Sequence, residues 1–500
     1  MKKSHLHFMG IGGHGISSVA QIAHNQGEIV TGCDRQESAN TRALTQVGIP
    51  IQIGHSAEHL QDADALIISP AVPALDPQNP ELLEAQRRGI PVKTWQELLG
   101  TLTEGKCLLS VCGVHGKSST TSMLSLMLVD AGMDPTCEIG AVVPRFGANY
   151  RLGQSEYFVN EADEFNHNFW HYHPRLAVVN AIEFEHPEFF HNYEEFLYAF
   201  EHFVRGMDIA SNWPLPPTII VNIDSPGCRD LCAHLDGWAG SIVNYSIQDL
   251  SRDTPEHIGD RLTFEAYDVK LEGETCFRVR LRNAPAGVKL PDVLYRLQLP
   301  GIHYVQNALA ALAAAYTVGA PLESIARTLE GFTGARRRFE IRHQGALVVG
   351  ERTCDDVILV DDYAHHPTAI ALTLEAARKR YPGRRLIAVY QPHMYSRTKT
   401  FFEQFLQAFD AADIAIISDI FPAREVDTGL VHTRQLVSEI AKRPRFSQEG
   451  AQILYGGSVQ ETTQTIQNNL RSGDIVLIMG AGDIYTVSEM LKQTNQPGHK

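Results

Sequence analysis

The stretch Ser110-Val-Cys-Gly-Val-His-Gly-Lys-Ser-Ser119 constrains this chain more than any other. Leu108, Leu109 and Val111 supply a short apolar run that reads as a strand buried on both faces, and Thr120 to Val129 reads as a helix. Between them lie Gly113, Val114, His115, Gly116, Lys117, Ser118 and Ser119. Glycines in such a turn let backbone N–H groups approach a phosphate. The helix start adds a partial positive charge, Lys117 a full one, and the Ser118 hydroxyl suits a magnesium ion. The common phosphate-loop pattern is G-x-x-x-x-G-K-[ST]. Here Val111 occupies the place of the first glycine, leaving the shorter G-x-x-G-K-S. Taken alone, that pattern also fits an ordinary strand-to-helix turn.

Five hundred residues suggest about three domains. With 44% hydrophobic and 20% charged residues the chain reads as soluble and globular. A net charge of −15 argues against a nucleic-acid partner, which needs a basic face. The first residues lack a signal-peptide pattern, and no apolar run is long enough to span a bilayer. Eight scattered cysteines without a C-x-x-C pair predict free thiols and a cytoplasmic location. Cys228, Cys232 and His234 resemble half a zinc site whose other half is missing, so no metal is expected there.

Residues 1–105 open with a strand, His5 to Met9, then Gly10-Ile-Gly-Gly-His-Gly15, a helix, and a second strand, Ile29 to Cys33, that ends at Asp34. This order suits a diphosphate at the helix start, with Asp34 accepting from a sugar hydroxyl. NAD and a UDP-sugar both fit that physics, as does a βαβ unit that binds nothing. The prolines of Ala71-Val-Pro-Ala-Leu-Asp-Pro-Gln-Asn-Pro80 predict an irregular loop. A polar boundary is expected at Thr103-Glu-Gly-Lys106.

Residues 106–330 carry two more apolar strands, ending in Glu161-Ala-Asp-Glu164 and in Glu183-Phe-Glu-His186. Parallel strands gather their carboxyl ends on one edge, so Glu161, Asp163, Glu183, Glu185 and His186 would face whatever the phosphate loop holds. Helix caps and solvated loop acids are the competing reading, chiefly for Asp163 and Glu183. The histidines within His167–His173 match no metal spacing and read as packing or surface residues. Residues from about 240 to 300 alternate in polarity and predict a small antiparallel excursion. His303 and Asn307 open an Ala-rich helix, where they could meet an adenine.

Residues 331–500 begin with three consecutive arginines, Arg336 to Arg338, whose forks suit phosphate oxygens. Four strands follow, ending in the polar loops at Asp361, Gln391, Asp419 and Gly480. The expected architecture is therefore α/β in three domains. The first and third are Rossmann-like, and the central one is a parallel sheet built on the phosphate loop.

In this order the motifs resemble one family, the Mur ligases, from about His5 to Asp483. The resemblance rests on Gly10-Ile-Gly-Gly-His-Gly, Asn79-Pro-Glu, Gly113-Val-His-Gly-Lys-Ser-Ser, Glu161-Ala-Asp-Glu, Asn180-Ala-Ile-Glu-Phe-Glu-His, Arg337-Arg-Phe-Glu, Asp362-Tyr-Ala-His-His-Pro-Thr, Gln391-Pro-His-Met-Tyr-Ser-Arg-Thr and Gly480-Ala-Gly-Asp. It implies ATP and magnesium, an acyl phosphate made on the carboxylate of UDP-N-acetylmuramate, and attack by the amine of L-alanine, in peptidoglycan precursor synthesis. It also implies roles for single residues. Lys117 and Ser118 would hold phosphates and magnesium, with Glu161 and His186 as further metal ligands. His303, Asn307, Arg337 and Asp362 would contact ATP. His365, His366, His393 and Arg397 would surround the amino acid and the reacting carboxylate. Gly12, Gly13, His14, Gly15, Asp34 and Ser69 would hold the UDP-sugar, in place of NAD. Lys117, His186, Arg337, His365 and Arg397 would be the catalytic set, in a monomer or homodimer.

Tyr304 and Met394 depart from the family's patterns, in which relatives carry Asn and Arg respectively. No lysine lies between Lys117 and Lys270, so the carbamylated lysine of some relatives has no counterpart downstream of His186. Two other readings stay open: a ligase that attaches a whole murein tripeptide to the same sugar nucleotide, and a nucleotide-binding regulator without catalysis.

Overall fold

The computed structural model describes residues 3–70, 72–211, 213–248, 260–448 and 450–493. Among these, three sheets form, each built from a consecutive stretch of chain. The first has five parallel strands. The strand His5–Met9 sits at its centre, between Ile29–Asp34 and Ala65–Ile68, with Ile51–Ile53 and Val92–Thr94 at the edges. The second has ten strands, with Cys107–Cys112 flanked in parallel by Tyr157–Glu161 and Leu176–Val179. The third has six, in which Arg352–Asp362, Ile475–Met479, Leu386–Tyr390, Ile414–Ser418 and Gln452–Gly457 run parallel and Glu340–Val349 closes one edge antiparallel. This is the three-part α/β architecture that the motifs predict.

Strands covered on both faces read as unbroken apolar runs because neither side meets water. Cys107–Cys112, Leu176–Val179, Leu386–Tyr390, Ile414–Ser418 and Ile475–Met479 are buried at every position. The predicted antiparallel excursion is present as Thr263–Lys270, Thr275–Arg282 and Leu294–Leu297. A second hairpin, Thr136–Val143 with Ala148–Arg151, extends the opposite edge. Gly147, at φ +66°, supplies its turn.

The helix after the phosphate loop begins at Lys117 rather than Thr120 and runs to Asp130. Its first turns are polar yet buried. The hydroxyls are satisfied locally: Thr121 Oγ1 donates to the Lys117 carbonyl at 2.8 Å and Ser122 Oγ to that of Ser118 at 2.6 Å. Their small size lets this helix pack closely on the Ala-rich helix Ile302–Thr317. The expected irregular loop at 71–80 contains a one-turn helix, Val72–Leu75. Pro73 stands in its first turn, where a missing N–H costs no intrahelical bond.

Leu109 is fully buried in the central strand, opposite Leu176 and Val159. Leu109→Ala should cost about 2–5 kcal/mol, read as a lower denaturant midpoint for the transition that exposes the middle sheet.

Candidate active site

Strand polarity brings the phosphate loop, Glu161 and Asn180 to one edge of the middle sheet. Gly113 and Gly116 both have positive φ, +115° and +78°. A Cβ on Gly113 would stand 2.8 Å from the Ala181 backbone, and one on Gly116 only 2.2 Å from Asn307 Oδ1. Asn180 ties the loop down, donating from Nδ2 to the His115 carbonyl at 3.2 Å and to Thr120 Oγ1 at 3.0 Å. The loop is thus held close against Ala181 and Asn307, with no room for a side chain at either glycine.

Lys117 Nζ donates to both oxygens of Glu164, at 2.7 and 3.0 Å, with Asp163 Oδ1 at 3.8 Å. Burial pushes the ammonium's pKa down, but Glu164 and Asp163 outweigh it and hold Lys117 above its ordinary value. His186 Nε2 lies 3.8 Å from Glu164 and its Nδ1 3.2 Å from Glu188. Burial opposes protonation of His186, yet the carboxylates of Glu188, Glu185 and Glu164 raise its pKa. Donor atoms of Asp163, Glu164 and His186 all lie within 4.8 Å of one another, close enough to share one cation. Ser118 Oγ donates to Glu161 Oε1 at 3.1 Å, so Ser118 and Glu161 form a neighbouring oxygen pair. His186 itself has φ +56°, a strained conformation for a non-glycine residue.

The third sheet presents its strand ends to the same edge. Arg397 Nε donates to Glu185 Oε1 at 2.9 Å, and its Nη1 lies 3.2 Å from His393 Nδ1. His366 Nδ1 lies 3.3 Å from Glu183, which also pairs with His115 of the phosphate loop. His365 Nδ1 lies 3.0 Å from its neighbour's carbonyl at Tyr363, and its ring is 6.2 Å from that of His393. Arg338 Nη2 donates to Ser118 Oγ at 3.0 Å. Arg337 turns the other way, donating to the Gly480 carbonyl at 2.6 Å with Asp361 at 3.4 Å. Asp362 accepts the N–H groups of Phe339 at 2.7 Å and Ala364 at 2.8 Å, so it fixes the arginine-bearing turn.

His303 is half-buried beside Gly301 and Tyr304, and its Nδ1 has no hydrogen-bond partner among the described residues. Burial, with His115 adding to it, lowers its pKa to about 4. A neutral imidazole with an unpaired nitrogen, next to Asn307 and the phosphate loop, suits a heteroaromatic base. Tyr304 is buried with its hydroxyl toward Ser119, and Met394 is buried at 1% exposure.

In the first sheet, Asp34 Oδ2 accepts from Gly12 N–H at 2.8 Å, so this carboxylate braces the glycine turn. A Cβ on Gly15 would strike Trp95 at 2.8 Å. His14 offers its carbonyl to Asn149 Nδ2 of the middle sheet at 3.1 Å. Ser69, at the end of Ala65–Ile68, accepts the Val72 N–H through its carbonyl at 3.0 Å.

Comparison with known proteins agrees with this layout. Residues 5–106 match the model "Mur ligase family, catalytic domain", residues 111–315 "Mur ligase middle domain", and residues 337–482 "Mur ligase, glutamate ligase domain". The UDP-N-acetylmuramate–L-alanine ligase of Persephonella marina is 36% identical over 98% of this chain and 97% of its own. The chain belongs to the Mur ligase family. A protein of the same name from Acidovorax sp. strain JS42 is 38% identical over 96% of this chain and 94% of its own. Among solved structures, the UDP-N-acetylmuramate-alanine ligase of Thermotoga maritima has the same fold, with a TM-score of 0.74 at 24% identity over 98% of this chain and 99% of that one. A murein peptide ligase from Psychrobacter arcticus 273-4 gives a TM-score of 0.68 at 26% identity over 99% of this chain and 100% of that one.

Within this Mur ligase, three residues at the cleft are given no role by the motifs: Glu164, the direct partner of Lys117, and Glu188 and Arg424, which pair at 2.6 Å. Of the three arginines expected to suit phosphate, Arg338 is the one at Ser118. Arg337 and Phe339 both have positive φ, +58° and +50°, so the run turns sharply and its arginines diverge. That twist has no signature in three identical side chains.

Burial lowers the pKa of His303, His366 and His393 to about 4 and holds that of His365 well below its ordinary value of 6.5. The unfolded chain therefore takes up protons on these groups at a pH where the folded chain does not. Their contribution to stability is complete above about pH 6.5 and lost as pH falls towards 4. His186, raised, acts in the opposite sense. The melting temperature should fall steeply between pH 6.5 and 5, and less steeply in His393→Gln.

Proposed function

We propose that the chain joins L-alanine to UDP-N-acetylmuramate at the expense of ATP. The carrying observation is the convergence at one cleft of the Lys117 loop, the Asp163–Glu164–His186 cluster, Arg338, and the buried Arg397. Residues 1–105 would bind the UDP-sugar, residues 106–330 ATP, and residues 331–500 the amino acid together with part of the nucleotide. ATP supplies the phosphoryl group that activates the muramyl carboxylate, and magnesium shields the phosphate charge.

The protein's own share is positioning and charge neutralisation. Backbone N–H groups of Gly113–Ser119 cradle phosphate oxygens, and Lys117 and Arg338 neutralise them from two sides. Ser118, Glu161 and His186, joined by Glu164, supply the donors for magnesium. The unpaired nitrogen of His303 and the amide of Asn307 receive the adenine. Arg397 faces the reacting carboxylate, held in place by Glu185. His365, His366 and His393 stay neutral through burial, so they can exchange hydrogen bonds with an amine without repelling its charged form. Gly12, Gly13, Gly15 and the Asp34-braced turn take the UDP diphosphate. Free, buried thiols at all eight cysteines suit a cytoplasmic enzyme, and among the described residues no helix is long and apolar enough to cross a membrane.

The likeness to the murein peptide ligase supports a second reading, in which a tripeptide is the acceptor. Phosphate release with ATP and UDP-N-acetylmuramate separates the two. L-alanine should give the highest kcat/KM, above glycine, L-serine and the tripeptide. A preference for tripeptide would select the second reading, and no turnover with any acceptor would reject both.

Lys117→Met should lower that turnover by about 10²–10³-fold. Arg338→Ala should be more damaging than Arg337→Ala in the same assay. Equal losses would remove Arg338 from the phosphate site.

A further inference from the structure

The N-terminal sheet carries a polar cluster that the ligase chemistry does not use. His7 comes from the strand His5–Met9, Cys33 from Ile29–Asp34, His59 from the 3₁₀ turn Ala57–Leu60, and Glu81 from the first turn of the helix Pro80–Arg88. One donor atom of each lies within 4.8 Å of all the others. We propose that these four side chains form a zinc site that clamps the glycine turn of the first sheet.

The spacing already approaches that of a tetrahedral centre. Zinc bonds of about 2.0–2.3 Å hold ligand atoms about 3.3–3.8 Å apart. Glu81 Oε1 lies 3.0 Å from Cys33 Sγ and 2.9 Å from His59 Nδ1, and Glu81 Oε2 lies 3.6 Å from His7 Nε2. Glu81 and Cys33 are fully buried, and His7 is 2% exposed. Such a site needs each imidazole oriented by its second nitrogen. His7 fulfils this: its Nδ1 is 2.9 Å from Thr31 Oγ1, while the buried Nε2 facing Glu81 has no hydrogen-bond partner among the described residues. A buried nitrogen that faces a carboxylate at 3.6 Å without a hydrogen bond leaves room for a cation between them.

Charge and ligand type select the ion. A thiolate and a carboxylate with two neutral imidazoles leave a divalent ion neutral in a buried place. Sulfur with imidazole favours zinc over magnesium. Binding releases the Cys33 proton to solvent, and the Cys33–Glu81 hydrogen bond gives way to two metal bonds. His55 Nδ1, 3.3 Å from both Cys33 Sγ and Glu81 Oε1, stands beside the set. A cavity of about 170 Å³ lined in part by His5, His7, Thr31 and His59 offers a route in.

The position explains what the ion would do. The Cys33 carbonyl accepts the N–H groups of Gly10 at 2.9 Å and Ile11 at 3.0 Å, and the next residue, Asp34, holds Gly12. Fixing Cys33 to His7, His59 and Glu81 therefore fixes the turn itself.

The test uses the full chain, purified without chelator, with zinc measured by mass spectrometry. The wild type and a Cys232→Ser control should each hold about one zinc per chain, and Cys33→Ser and His59→Ala should lose it. Stripped wild type titrated with Co²⁺ should develop thiolate-to-cobalt charge-transfer absorption. Equal zinc in the wild type and Cys33→Ser, or a cobalt titration without that absorption, overturns the site. Neither readout depends on turnover.

Discussion

Glu185 and Arg397 meet in the interior at 2.9 Å, with 4% and 3% of their side chains exposed, and the arrangement of the cleft depends on that pair. It ties the loop after Leu176–Val179 to the helix Tyr395–Thr400 of the third sheet. Burying two charges gains little net stability, because desolvation roughly cancels their attraction. Separating them is different, since each would then stand buried and alone. The pair therefore acts less as glue than as a key, making one mutual orientation of the two sheets far cheaper than its neighbours. Glu183 beside the neutral His366, and Glu188 paired with the more exposed Arg424, add further contacts on either side. All three acids lie within six residues, so one short loop of the middle sheet sets where the third sheet sits.

The sequence carried the fold well because the parallel strands are buried on both faces and flanked by glycine or polar loops. Leu386–Tyr390, Ile414–Ser418 and Ile475–Met479 are apolar runs with sharp ends. Less visible were features fixed by tertiary context. The helix at Lys117 starts three residues early because the loop's left-handed Gly116 launches it directly. The hairpin at Thr136–Val143 has no clean alternation because its first four positions and both faces are covered. At the cleft, residue types were legible but pairings were not. Asp34 reads as a sugar ligand, yet its carboxylate is held by Gly12 N–H. The three arginines read alike until φ angles of opposite habit send Arg337 and Arg338 to different partners. The four residues of the Glu81 cluster come from four elements, so no spacing in the chain announces them.

The first sheet is joined to the cleft through contacts rather than proximity alone. The helix His14–Asn25 packs on the hairpin of the middle sheet, where the His14 carbonyl accepts from Asn149. Burial lowers the pKa of His14, while Glu161 pulls it back up, which places the two side chains in electrostatic reach. Glu161 in turn receives the Ser118 hydroxyl and, at 2.7 Å, the Gly140 N–H. Glu138, buried close to Glu161 and Ser18, has its pKa driven well up by burial and by Glu161. A continuous polar path thus runs from the glycine turn of the first sheet to the phosphate loop of the second.

Under the proposed function, phosphate and a cation would arrive together, and the charges along that path suit this. Glu161, Asp163 and Glu164 crowd the loop, and without a counter-ion they would repel a triphosphate. Lys117 now answers Glu164, which it grips at 2.7 Å. A lysine cannot give its full charge to a carboxylate and to phosphate oxygens at once. If Lys117 turns to phosphate, Glu164 is left buried with Asp163 and His186, an arrangement that costs several kcal/mol unless a cation replaces the lysine. A divalent ion there would restore the balance, and the released ammonium would meet the phosphates on the other side. Under the proposed function, the Lys117–Glu164 pair is then the resting state that a nucleotide arriving with its metal would replace.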